Sequence, residues 1–171
     1  MDFLQRQMRH SVWANERLLA FCRTLADAQL ELTLPGTYGT VLGTLTHIVS
    51  SEEGYLVRLL GAKLHDIPFR ATDRATLDDI ASHIDHVKAG VDRLFGSGSP
   101  DPERVISDTP LRPPGAPQFE MAAWPPATQF VYHGTDHRSQ IATILSANGL
   151  EPPDLQIWPY AMELGASRQV K

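Results

Sequence analysis

His133-Gly134-Thr135-Asp136-His137-Arg138-Ser139-Gln140 carries two histidines four residues apart in a stretch that reads as helix. One turn separates them, so both imidazoles fall on one face, at a spacing that lets them reach a single ion. Gln140 follows His137 by three residues and shares that face. The helix extends outward from this pair in both directions. It begins after Trp124-Pro125-Pro126, where proline suits a helix entry, and runs through Phe130, Val131, Ile141, Ile144 and Leu145 to a stop at Asn148-Gly149. Gly134 occupies the place where the His-Glu-x-x-His motif puts its general base, which excludes hydrolysis by that mechanism.

Three further amphipathic helices precede it. The first spans about Asp2 to Ala28, with Leu4, Met8, Val12, Leu18, Leu19, Cys22 and Leu25 at three- and four-residue steps. The second starts after Gly39-Thr40 and ends at Gly61; Leu42, Leu45, Ile48, Val49, Leu56, Leu59 and Leu60 form its stripe, and Glu52 is the charged member of that stripe. The third opens at a Thr76 cap with Asp78 and Asp79 in its first turn, and Gly96-Ser97-Gly98-Ser99-Pro100 ends it. Residues 100–126 hold eight of the 13 prolines. Pro110, Pro113, Pro114 and Pro117 forbid a helix there, leaving a long ordered connection with a short extended pair around Val105-Ile106 and Phe119–Met121. The tail from Pro152 to Leu164 has room for one or two short turns. Four helices of roughly 20 residues with one long connection predict an all-α four-helix bundle, a single domain over residues 1–171.

Composition narrows the function. At 42% apolar and 20% charged residues the chain is too apolar to be disordered. A net charge of −5 argues against a phosphate-tracking surface, and so against a nucleic-acid partner. Cys22 is the one cysteine, which rules out an intrachain disulfide. The N-terminus lacks the apolar core of a signal peptide, and no run approaches the ~18 apolar residues of a membrane span. The expectation is a cytoplasmic protein with no membrane partner.

A third ligand to join His133 and His137 must come from another helix. His47, flanked by Leu45, Ile48 and Val49, is the candidate, with a hydrogen-bonded core histidine as the alternative reading. His10, His65, His83 and His86 are expected to face solvent, and replacement of His83 is expected to leave metal binding unchanged.

With these residues in hand, the chain resembles the DinB-like (YfiT/DinB) superfamily of metal-binding four-helix bundles. Three segments carry the resemblance. They are Trp13-Ala14-Asn15-Glu16-Arg17-Leu18-Leu19, then His47-Ile48 with Glu52 and Tyr55, then His133-x-x-x-His137-Arg138-x-Gln140-Ile141 followed by Gly149 and Pro152-Pro153. Ser139 stands where many relatives carry Gly, and the 100–126 stretch matches no family pattern. The resemblance implies that His47, His133 and His137 bind one divalent transition metal (Zn, Ni, Fe or Co), with an open coordination place. Asp136, Glu52, Glu53 and Gln140 are then candidates to orient an imidazole or supply a fourth ligand. For function it implies a metal-dependent thiol S-transferase or isomerase, in which the metal ionises a low-molecular-weight thiol, with Arg138 or Arg58 as candidate holders of anionic groups, against the plainer reading of Arg138 as a helix-surface or interface ion pair. A non-catalytic, stress-associated metal-binding or interaction protein is the alternative, and a metal-dependent hydrolase ranks below both. A small-molecule substrate and a homodimer complete the expectation, the latter from relatives and from Trp13 on the apolar first helix.

Overall fold

In the computed structural model, residues 2–65, 75–108 and 115–168 are described. The elements in chain order are α1 (Phe3–Cys22), α2 (Asp27–Leu30), α3 (Val41–Leu60), α4 (Leu77–Phe95), β1 (Val105–Ser107), β2 (Glu120–Ala122), α5 (Trp124–Ala147) and α6 (Ile157–Glu163). The long helices α1, α3, α4 and α5 make the predicted bundle. α3 packs mainly on α5 and α4, and α1 mainly on α4, so α1 and α3 face each other across the bundle rather than side by side. The interior is filled from all four, by Met8, Leu18, Leu45, Ile48, Leu56, Ile80, Phe130, Ile141, Ile144 and Leu145, each fully or almost fully buried.

The helix boundaries follow local chemistry. Thr40 caps α3 through its side chain, which accepts from Gly43 N at 3.0 Å. Thr76 caps α4 in a reciprocal box with Asp79. α5 begins at Trp124 itself, with both prolines inside its first turn, where their missing N–H groups cost nothing. α4 approaches α3 closely at Gly90, where an added Cβ would lie 2.9 Å from Leu56 Cδ1.

The first helix is shorter than its periodicity predicts. It stops at Cys22, the Thr24 hydroxyl donates to Phe21 O at 2.7 Å, and the chain turns so that Leu25 and Leu30 still reach the core. Apolar spacing alone continues across such a turn, which is why the sequence suggested Ala28. The expected extended pair is present, antiparallel with Ile106 opposite Met121; Pro110, Pro113 and Pro114 lie outside the described residues. The tail forms α6, and Trp13 ties it down by donating from Nε1 to Glu163 Oε2 at 2.9 Å and packing on Tyr160. Trp13 is thus engaged within its own chain. Among the described residues no helix is long and apolar enough to cross a membrane.

Candidate metal centre

His47 projects from α3, and His133 and His137 from α5, at the seam where these two helices pack. Each offers one ring nitrogen such that all three lie within 4.8 Å of one another. His133 Nε2 faces His47 Nε2 at 2.9 Å, and the His137 ring stands edge-on to both, with centroids 4.5 and 4.8 Å away. Two imidazole nitrogens on a tetrahedral zinc ion stand about 3.3 Å apart, a few tenths of an ångström more than the His47–His133 separation.

The surroundings disfavour the charged form of His47 and His133 and orient His137. Burial lowers the His133 pKa to about 4, helped by His137 and His47, and burial followed by the charge of His137 lowers that of His47. Neutral imidazoles present lone pairs. His137 Nδ1 donates to Gln140 Oε1 at 3.3 Å, which turns Nε2 into the accepting nitrogen. The same Gln140 oxygen accepts the Tyr38 backbone N–H at 2.8 Å. That bond holds the 31–40 loop so that the Tyr38 ring stacks on His47, with centroids 3.9 Å apart and planes 15° from parallel. The Nδ1 atoms of His47 and His133 are buried and have no hydrogen-bond partner among the described residues. Three imidazoles converging on one point, two of them with a buried Nδ1 left unpaired, are poor core packing. The donor set fits a divalent transition metal.

Behind the triad lies a buried polar network that the sequence did not reveal. Glu52, with no exposed surface, accepts from Ser11 Oγ at 2.8 Å and Asn15 Nδ2 at 2.7 Å. Arg138 donates from Nη1 to Asn15 Oδ1 at 2.8 Å and Ser11 Oγ at 3.1 Å, and lies 3.7 Å from Glu52 Oε1. Burial pushes the Glu52 carboxyl up to about 7 against the pull of Arg138, Ser11 and Asn15. Gly134 gives this network its room. A Cβ there would lie 2.8 Å from Arg138 Nη1 and 2.9 Å from Glu52 Oε1. The quoted motifs around Asn15, Glu52 and Arg138 thus supply the clamp that fixes α5 against α1 and α3, while the histidines face the other way.

Several expectations are corrected at this point. Glu52 is committed to the network and Glu53 to a different cluster, so neither orients the triad; Gln140 does. Asp136 is exposed and, among the described residues, makes no side-chain hydrogen bond. Arg138 is buried inside the bundle and held by Asn15 and Ser11, which takes it out of consideration as an anion holder, and Arg58 donates back to Gly54 O in its own helix at 3.1 Å. The remaining histidines do not simply face solvent. His10 Nε2 bonds to Leu155 O at 2.9 Å, and its ring packs against Trp13 and Tyr160. His65, His83 and His86 gather around Glu53. His83 and His86 sit on one helix face in the sequence, but their meeting with His65 and Glu53 depends on how α3 and α4 pack.

The sequence model of the DinB family matches residues 1–163. No curated protein matches the chain at a significant level.

Proposed function

The chain belongs to the DinB family, and we propose that it acts as a divalent-metal-dependent enzyme of the thiol S-transferase or isomerase type, with His47, His133 and His137 holding the ion. The observation that carries this reading is a triad of three converging imidazoles to which the described residues add no fourth ligand and no carboxylate base. Three protein ligands leave a place for an exogenous group, the arrangement of catalytic rather than structural centres. The ion supplies Lewis acidity to a group placed beside it.

The residues of the chain favour a thiol over water in that place. Water must be brought down from a pKa of about 15.7, and hydrolytic sites commonly add a carboxylate to take the proton. A thiol starts near 8.5 and needs no such base. Glu52, Glu53 and Asp136 are all turned to other tasks or to solvent. Gln140 keeps His137 in one tautomer, and Tyr38 screens the His47 face from water. In the transfer, the thiol proton goes to solvent and the sulfur forms its new bond to an electrophilic carbon of a small-molecule substrate as the carbon–leaving-group bond breaks, the leaving group (chloride, in a chloroalkyl substrate) departing with the electron pair to solvent. The same proposal places the protein in the cytoplasm as a homodimer, with a low-molecular-weight thiol as co-substrate and neither nucleic acid nor membrane as partner.

The test uses Co²⁺-loaded protein, with cysteine or glutathione as thiol and monochlorobimane as electrophile. A thiolate-to-cobalt charge-transfer band and metal-dependent conjugation are expected, both abolished in His137→Ala while helicity is retained. A stoichiometric ion whose spectrum no thiol perturbs would overturn the enzyme reading in favour of the non-catalytic, metal-binding one.

A further inference from the structure

A second cluster of histidines lies on the other side of α3. Glu53 Oε1 lies 2.6 Å from His83 Nδ1 and 3.9 Å from His86 Nδ1, and Oε2 lies 3.0 Å from His65 Nε2. The three rings crowd together, with centroids 4.8 Å apart for His65 and His83, 4.4 Å for His65 and His86, and 5.3 Å for His83 and His86. One ligand atom from each of the four residues falls within 4.8 Å of all the others. The Glu53, His65 and His83 side chains are only 7%, 15% and 12% exposed, and His86, at 37%, closes the cluster on its outer side.

A carboxylate hydrogen-bonded by two imidazoles would account for His65 and His83. It does not account for the third ring, which stacks on His65 while its Nδ1 is buried and has no hydrogen-bond partner among the described residues. Of the five buried side-chain polar atoms without partners among the described residues, three are imidazole nitrogens, two in the triad and one here. Bringing three imidazoles together costs desolvation and risks mutual repulsion whenever more than one is protonated. A cation removes both penalties at once.

We propose that Glu53, His65, His83 and His86 form a second and independent site for one divalent cation of the zinc class, a structural centre that fastens α4 and the residues following α3 to α3 itself. Three imidazoles and one carboxylate complete a tetrahedral donor set with nothing left open, the pattern of structural zinc sites, in contrast to the open triad. The two centres do not make a dinuclear pair. Glu53 follows His47 by six residues, about 9 Å along the helix axis and about 240° around it, whereas paired catalytic metals stand about 3.5–4 Å apart. One site lies in the α3–α5 seam and the other in the α3–α4 seam.

The test is the stoichiometry of Zn²⁺ bound to the full chain after stripping with EDTA, reloading and dialysis, measured by plasma mass spectrometry. Wild type is expected to hold two ions, with one each in Glu53→Gln, His86→Ala and His137→Ala, and none in Glu53→Gln/His137→Ala. Glu53→Gln keeps the shape and a hydrogen-bonding oxygen while removing the charge, so a purely hydrogen-bonded cluster would leave the stoichiometry unchanged. Circular dichroism checks the fold, and His86→Ala, at the most exposed of the four positions, decides if Glu53→Gln does not fold. Two ions in both of these variants, or a single wild-type ion lost only in His137→Ala, would overturn the second site and leave the triad standing. A single ion lost in Glu53→Gln and kept in His137→Ala would support the second site and overturn the triad instead. No bound ion at all would overturn both.

Discussion

Gly134→Ala sets two physical effects against each other. In the interior of a 24-residue helix, alanine is favoured over glycine by about 1 kcal/mol, so propensity alone predicts a more stable protein. The packing predicts the reverse. The new Cβ would stand 2.8 Å from Arg138 Nη1, 2.9 Å from Glu52 Oε1 and 3.1 Å from Ser11 Oγ, where ordinary contact begins at 3.4 Å. These atoms end flexible side chains, but here they are locked to one another, and Arg138 and Glu52 are 5% and 0% exposed. Moving Arg138 aside loosens its bonds to Asn15 and Ser11, each a charge-assisted hydrogen bond of about 1.5–3 kcal/mol. Setting the loss of both against the propensity gain leaves a net destabilisation of about 2–5 kcal/mol. With a urea m-value of about 2 kcal/mol/M, the unfolding midpoint falls by about 1–2.5 M. Equilibrium unfolding followed by far-ultraviolet circular dichroism measures it, with Ser139→Ala on the exposed face of the same helix as the propensity control. A Gly134→Ala midpoint equal to or above wild type would refute the claim that the network fills this space.

Two further perturbations bear on the interior. Arg138→Met removes the cation and leaves the Glu52 carboxylate buried, and is expected to cost about 3–5 kcal/mol; Glu52→Gln added to it should recover at least half, and a single-variant loss below about 1 kcal/mol in urea unfolding would contradict the network. Cys22 has no exposed surface, and burial pushes its thiol up to about 12. Its reaction with a disulfide reagent at pH 8 should therefore run about a thousandfold or more slower in the native protein than in urea. Matching rates would show that the α1 core opens freely.

Much of the bundle was legible because a helix writes its buried face into the sequence every three to four residues and its ends into caps. Thr40, Thr76, Gly61 and the prolines after Trp124 mark boundaries by local chemistry, and the structure places the helix ends there. The end of α1 was not marked in this way. The apolar period runs on past Cys22, and only the Thr24 turn shows that Leu25 reaches the core from outside the helix.

The site divides along the same line. Residues on one helix share a face by spacing alone, so the pairing of His133 with His137, and of both with Gln140, was fixed by the chain itself. His47 stood out as their partner by its place among apolar residues on another helix, and the resemblance pointed to the same residue. Which groups meet across helices depends on the angles and offsets at which α1, α3, α4 and α5 pack, and no local pattern encodes these. Only the tertiary structure placed Tyr38 on His47, enclosed Glu52 among Ser11, Asn15 and Arg138, and turned the adjacent Glu53 to the opposite side, toward His65, His83 and His86. Glu52 and Glu53 are neighbours in sequence, but a helix turns 100° per residue. That single step separates the carboxylate that closes the core from the one that gathers three histidines.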